Sequence, residues 1–270
     1  MEKRKTIVNK VKHLLKQSGL PTYLHNKGPK RFRFWELFLG LLIKEVFRLS
    51  YRRAALFLNE FYGIELHWTT LQKCRKRVPL SVWQLLLSLT ADDFISVAAI
   101  DGTGLQRSNP SAHYLKRIDH EKRVSIPIMI TSMVDVIRRK FLSVKHHIGR
   151  CGEVTDVPYL VNQFQNEIDL ILMDKGYDSE KLHRWLRNQG ILSVAPVKKN
   201  WAKGQIRKQL KDCFDYALYW QRNIIESLFS ALKRLFGTLL HSRSARTQRA
   251  ELYMRLIAYN LGARINFIFY

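Results

Sequence analysis

Residues 94–104 read Phe-Ile-Ser-Val-Ala-Ala-Ile-Asp-Gly-Thr-Gly. The run Phe94–Ile100 is short, apolar and rich in β-branched residues, and it gives way to Asp101 and glycine. Such a run bounded by turn residues predicts a strand with Asp101 at its carboxyl end. A second stretch repeats the pattern: Asp169–Met173, then Asp174-Lys-Gly-Tyr-Asp178. Ile126–Val136, Phe141–Val144 and Ile191–Ala195 predict further strands. Apolar residues at helical spacing fall between and after them, at 155–167, 179–189, 219–236 and 246–263. Strands mixed with helices indicate an α/β layer built on one sheet.

Ahead of residue 92 the periodicity is helical throughout: Val8 to Leu15, Phe34 to Phe47, Ala54 to Phe61 and Val82 to Leu89. A domain boundary is therefore predicted near Asp92–Asp93, dividing a helical domain, 1–92, from an α/β domain, 93–270. Within the first, Ser50 can N-cap a helix over 51–61, Gly63 supplies a turn, and Thr69 can cap a helix over 70–78. Leu71, Cys74 and Val78 share the apolar face of that last helix. Gln72, Lys73, Arg75, Lys76 and Arg77 then point outward. This pair reads as a helix-turn-helix whose basic, amide-bearing second helix suits a major groove. Gln72, Lys73, Lys76 and Arg77 are its predicted DNA contacts, and a solvated helix of a bundle is the other reading. Cys74 is expected as a small core residue.

The charge supports a nucleic-acid partner. In 270 residues, 46 Lys and Arg against 22 Asp and Glu give a net +24. So large an excess repels itself and calls for a polyanion. Hydrophobic residues make up 46%, enough for a packed core. Cys74, Cys151 and Cys213 form no CxxC pair, which argues against disulfide or structural zinc frameworks. His146, His147 and Cys151 are too few and too loosely spaced for a metal site. Met1–Lys16 is charged throughout and lacks the apolar stretch of a signal peptide. The longest apolar run, Leu37–Ile43, falls far short of the roughly 18 residues of a membrane span. A protein of the prokaryotic cytoplasm, associated with the nucleoid and not with a membrane, is expected.

Asp101 and Asp174 carry the first chemical signal. Functional groups in α/β sheets gather at the carboxyl ends of strands. Two carboxylates on adjacent ends repel unless a cation lies between them, and hard oxygen ligands suit Mg²⁺ or Mn²⁺. The glycines that follow each Asp allow a tight turn and close approach of a substrate backbone. Taken singly, an Asp after a strand also serves as a turn or cap residue, and Asp178 is predicted to cap the 179–189 helix. The third signal is the segment 219–233, Tyr-Trp-Gln-Arg-Asn-Ile-Ile-Glu-Ser-Leu-Phe-Ser-Ala-Leu-Lys. Helical geometry places Tyr219, Arg222, Glu226 and Lys233 on one stripe, beside an apolar face of Ile225, Leu228, Leu232 and Leu235. Arg222 and Glu226, four apart, can also pair as an ordinary surface salt bridge.

With these residues the sequence resembles the DDE transposases of prokaryotic insertion sequences, which have a ribonuclease H-like catalytic core. One large group of them carries Tyr-x2-Arg-x3-Glu-x6-Lys around its third carboxylate, matched here by Tyr219, Arg222, Glu226 and Lys233. Asp101-Gly-Thr and Asp174-Lys-Gly-Tyr-Asp resemble the family's first two carboxylate motifs. The likeness covers residues 94–236 and, more loosely, the helical region. Asp174 and Glu226 lie only 52 residues apart, so the β-rich insertion of some relatives is absent. The resemblance implies a mixed five-stranded sheet with flanking helices, preceded by an all-α domain containing the helix-turn-helix. It implies two Mg²⁺ (or Mn²⁺) ions per active site, held by Asp101, Asp174 and Glu226 as metal-binding and catalytic residues. One ion activates the attacking oxygen and the other stabilises the leaving oxygen. Water nicks the element's end, and the freed 3′-hydroxyl then attacks target DNA. Arg222 and Lys233 would hold phosphates, with Tyr219 as a further contact. The implied partner is double-stranded DNA, as terminal inverted repeats and as target, with a homodimer on paired ends.

The basic stretch Lys198, Lys199, Trp201, Lys203, Arg207, Lys208 and Lys211 fits a grip on a DNA backbone, with Trp201 stacking on an unpaired base. A solvated charged loop fits it equally. Two other functions keep the same fold: a non-catalytic DNA-binding repressor derived from a transposase, and a structure-selective nuclease.

Overall fold

The computed structural model describes residues 2–24, 29–91, 93–107, 127–149, 152–164, 167–198 and 204–262. The chain separates into two compact units: Met1–Thr90 together with Leu232–Tyr270, and Ala91–Ala231.

The first unit is helical at its N-terminal end: α1 (Glu2–Gln17), α2 (Phe34–Val46), α3 (Tyr51–Tyr62), α4 (Trp68–Arg77) and α5 (Leu80–Ser88). The Ser50 side chain caps α3 by accepting from Arg53 N, and Gly63 ends it at φ 64°, the left-handed value glycine adopts without strain. Helix α4 starts earlier than predicted, with His67 as its N-cap residue. Thr69, the expected cap, instead pairs its hydroxyl with His67 Nδ1 at 2.8 Å. Cys74 is buried, and burial pushes its thiol up to about 12. Arg75 departs from its predicted outward position: it is only 2% exposed. Its guanidinium is drawn inward by Glu45, Tyr51, Ser242, the Thr247 carbonyl and Glu251.

The chain's last described helix, Ala245–Asn260, completes this unit by packing on α2, α4 and α5. A split at residue 92 would place that helix with the sheet. It goes with the helices because Ala250, Leu252, Met254, Leu256 and Ile257 are almost wholly buried there.

The second unit is built on five strands: β1 (Phe94–Arg107), β2 (Ile128–Asp135), β3 (Lys140–Ile148), β4 (Glu167–Met173) and β5 (Leu192–Val194). Their order is β3-β2-β1-β4-β5. β1 runs antiparallel to β2 and parallel to β4, and β5 parallel to β4, so the sheet is mixed. A sixth strand of two residues, β6 (Leu239–Leu240), one more than expected, falls in the stretch grouped with the first unit. Helices α6 (Val157–Gln163) and α7 (Glu180–Asn188) cover one face, closing over Ala98, Ile100, Met133, Ile171 and Met173. Helices α8 (Gln205–Asp212), α9 (Tyr216–Trp220) and α10 (Asn223–Phe236) follow, and Ala245–Asn260 becomes α11. Phe229 of α10 meets Phe141 of β3 at 6.2 Å. Phe141 is paired with Val134, which is paired with Ala99. By strand alternation this is the face opposite α6, and Asp101 shares it with Ala99.

Candidate active site

β1 does not end at Ile100. It continues to Arg107, paired with β2 as far as Leu105. What ends near Ile100 is the parallel pairing with β4, whose last matched residues are Ile100 and Met173. Asp101 is the next residue of β1, and Asp174 directly follows the last residue of β4. The register thus leaves them as neighbours where β4 leaves the sheet. The glycine that follows Asp101 therefore serves extended backbone, not a tight turn.

The segment predicted as one helix, 219–236, is broken. α9 stops at Trp220 and α10 starts at Asn223. Across the break the hydrogen bonds tighten: Arg222 N donates to Tyr219 O at 3.0 Å and Ile225 N to Arg222 O at 2.9 Å. These are bonds of the 3₁₀ kind. Two side chains from this stretch, Tyr219 and Arg222, still meet the strand carboxylates. The Arg222 guanidinium forks, one nitrogen to Asp101 Oδ2 at 2.8 Å and the other to Glu226 Oε1 at 2.8 Å. The Tyr219 hydroxyl donates to Asp174 Oδ1 at 3.3 Å. Lys233 lies further along α10, on the part grouped with the helical unit.

The electrostatics follow from this crowding. Burial pushes the Asp101 carboxyl above its ordinary value. The Gly102 N–H (2.8 Å away) and Arg222 work against that shift, and the charges of Asp174 and Glu226 reinforce it. Burial would lower Arg222, but Asp101, Tyr219 and Glu226 outweigh it and raise it. Burial likewise raises the Tyr219 phenol, with the Asp174 charge adding to it. An arginine fork thus stands between two carboxylates that would otherwise repel. Among the described residues no three His, Cys, Asp or Glu side chains converge as a ready-made metal cage. The donor chemistry nevertheless suits a hard divalent cation, since Asp101, Asp174 and Glu226 all offer carboxylate oxygens. Ser132, paired directly with Asp101, adds a buried hydroxyl without a partner among the described residues.

The sequence is matched over residues 92–261 by a family model described as a transposase DDE domain. The chain belongs to that transposase family. No curated protein matches the sequence. Among solved structures, the chain is similar to a piggyBac transposase synaptic complex with hairpin DNA. The identity is 12%, over 96% of this chain and 73% of that one, with a TM-score of 0.43. It is also similar to a Mos1 transposase paired-end complex with the left transposon end. There the identity is 11%, over 89% of this chain and 81% of that one, with a TM-score of 0.27.

Around the carboxylates of this DDE-family chain lie residues the sequence reading missed. Gly102 leaves room for Glu153, whose carboxylate would collide with a Cβ at that position. Glu153 in turn accepts from the Tyr177 hydroxyl at 3.0 Å, and burial followed by Glu153 raises that phenol. Glycine inside a strand signals close approach of another group, but which group approaches is not local information. Asp178 does not cap α7, where Ser179 is the N-cap residue. It binds Arg207 of α8 through two guanidinium nitrogens and accepts from Lys198 N at 2.8 Å. Burial would raise its carboxyl, yet these bonds hold it below the ordinary value. Arg207 is thereby withdrawn from the basic stretch. Lys199, Trp201 and Lys203 lie outside the described residues. Gln72, Lys73, Lys76 and Arg77 are exposed on α4. His147 is not a metal ligand in waiting, since its Nε2 lies 2.9 Å from Asp156 Oδ2 beside Lys145. Cys151 lies outside the described residues. Among the described residues no helix is long and apolar enough to cross a membrane.

Proposed function

We propose that this DDE-family chain is the transposase of a prokaryotic insertion sequence. It binds the element's terminal inverted repeats, cleaves at the ends and joins the freed 3′-hydroxyl to target DNA. The observation that carries the reading is the register of β1 and β4, which sets Asp101 beside Asp174, with Glu226 linked to Asp101 through Arg222. Asp101, Asp174 and Glu226 would hold two Mg²⁺ or Mn²⁺ ions. Bound there, the ions supply activation of the attacking oxygen and stabilisation of the leaving one.

The protein's own part is positional. The sheet fixes two carboxylates, and α10 presents the third. Arg222 offsets negative charge where a phosphodiester has to approach, and it can fork onto phosphate as it does onto carboxylate. Tyr219 orients Asp174. Lys233 is a point charge for the DNA backbone, and α3 with α4 is the helix-turn-helix that binds the repeats through Gln72, Lys73, Lys76 and Arg77. Lys198, Lys199 and Trp201 grip the strand near the cut, and two copies pair the ends.

The test is a plasmid excision assay with Mg²⁺, using a donor flanked by the element's own ends. Asp101→Asn and Glu226→Gln should each abolish cleavage while leaving binding to the terminal repeats intact. Excision at the normal rate by either variant would remove the triad assignment. One observation favours a second reading, a DNA-binding repressor that does not cut: Arg222 occupies the space between two of the carboxylates. Binding of repeats by the wild type without cleavage in Mg²⁺ or Mn²⁺ would select it.

A further inference from the structure

The helical unit carries a second concave feature. A cleft of about 920 Å³ opens among the α2–α3 junction, α4 and the segment 241–247. Every residue lining it belongs to this one unit. Seven of those residues are Lys or Arg, and Glu45 alone is acidic.

The charges fall in two layers. On the floor, Arg75 and Arg255 are committed to carboxylates: Arg75 to Glu45 at 3.2 Å and Glu251 at 2.7 Å, Arg255 to Glu251 at 2.7 Å. At the rim, Arg48, Lys73, Lys76 and Arg243 are exposed; Arg48 donates to the Arg234 and Leu235 carbonyls, and among the described residues no ion pair neutralises the four charges. Ser50 and Ser244, the N-caps of α3 and α11, also line the cleft. Each helix start adds unpaired N–H groups and the positive end of a dipole. The result is a concave surface of one sign, which concentrates anions.

We propose that this cleft seats the phosphodiester backbone of duplex DNA, with Arg48 and Arg243 joining Lys73 and Lys76 of α4. The proposal rests on the DNA-binding reading of α3 and α4 and changes what α4 does. Lys73 and Lys76 hold phosphates and do not read bases. Arg243, from a stretch far along the chain, becomes part of the DNA-binding surface. A single small phosphate is a poor fit. The floor arginines already have partners, and four separate rim cations match a run of charges better than one.

The test uses the full-length chain with Lys73→Gln, Lys76→Gln and Arg243→Gln combined. All three positions are exposed, and thermal melting checks that the variant folds as the wild type does. Affinity is measured between about 50 and 200 mM salt for two short duplexes, one carrying the element's terminal repeat and one of shuffled sequence. Each phosphate contact contributes about 0.9 to the slope of log affinity against log salt. The triple variant should therefore lose about 3 from the slope, equally on both duplexes, and Lys73→Arg with Lys76→Arg should keep it. An unchanged slope, or a loss confined to the repeat duplex, overturns the cleft while leaving DNA binding in place. A wild type that binds neither duplex overturns the DNA-binding reading as well. Displacement of duplex by inorganic pyrophosphate at matched phosphate concentration would assign the cleft to small anions instead.

Discussion

Arg222 is the side chain on which the site turns. It is 12% exposed, and its fork reaches Asp101 and Glu226 at 2.8 Å each. Lysine has the charge, but all its donors sit on one nitrogen, and it lacks the planar two-pronged fork that reaches both carboxylates at once. Arg222→Lys should therefore lose one charge-assisted hydrogen bond, worth about 1.5–3 kcal/mol. DNA cleavage should fall by roughly 10- to 100-fold, with repeat binding intact. Initial rates of nicking on a labelled end would measure it, and a lysine variant as fast as the wild type would make the fork dispensable. Half of this geometry was legible in the sequence. Arg222 and Glu226 are four apart, and helical spacing alone brings them together. The bond from Arg222 to Asp101 spans 121 residues. Only the folding of this stretch onto the sheet creates it, so spacing missed this carboxylate partner, and the family resemblance assigned Arg222 to phosphate.

Strand β1 shows the same limit in an element. Its apolar first half was plain from Phe94–Ile100, but the end of the β4 pairing just before Asp101 is a property of two strands together. The strand was therefore read as ending where only its parallel pairing ends. Gly102 carries the consequence. A methyl group there would meet the Glu153 carboxylate, and displacing that carboxylate disturbs the bond it accepts from the buried Tyr177 hydroxyl. Gly102→Ala should destabilise the sheet unit by about 1–3 kcal/mol, the range for a buried polar group left unpaired. It should also slow cleavage, because Asp101 is the preceding residue of the same strand. The check is a double-mutant cycle with Glu153→Ala. If contact with Glu153 is the cause, the cost of Gly102→Ala disappears in that background. Full additivity would assign the cost to the backbone instead. The helix break at Gln221–Arg222 was equally hidden, since the apolar face from Ile225 onward is regular and the preceding residues carry no Gly or Pro to mark a stop.

Over the whole molecule, a net charge of +24 has to be reconciled with folding, and Glu251 is central to that in the helical unit. It is 0% exposed. Burial alone would raise its carboxyl. Arg75 and Arg255, with N–H groups of His241 and Ser242, lower it from 4.5 to about 2. A carboxyl depressed in the folded state contributes stability that is complete above its unfolded value and lost as pH falls through its folded one. The window here runs from about 4.5 down to about 2. At about 1.4 kcal/mol for each tenfold change in proton affinity, Glu251 contributes about 3 kcal/mol to the helical unit at neutral pH. Acid should therefore weaken this unit steadily across that window. Glu251→Gln should be less stable than the wild type at pH 7, because two buried arginines are left with Glu45 as their shared carboxylate, and its stability should depend less on acid pH. Urea unfolding followed by helical circular dichroism at a series of pH values would measure both slopes. Equal pH dependence in the variant and the wild type would show that the acid sensitivity lies in other carboxylates.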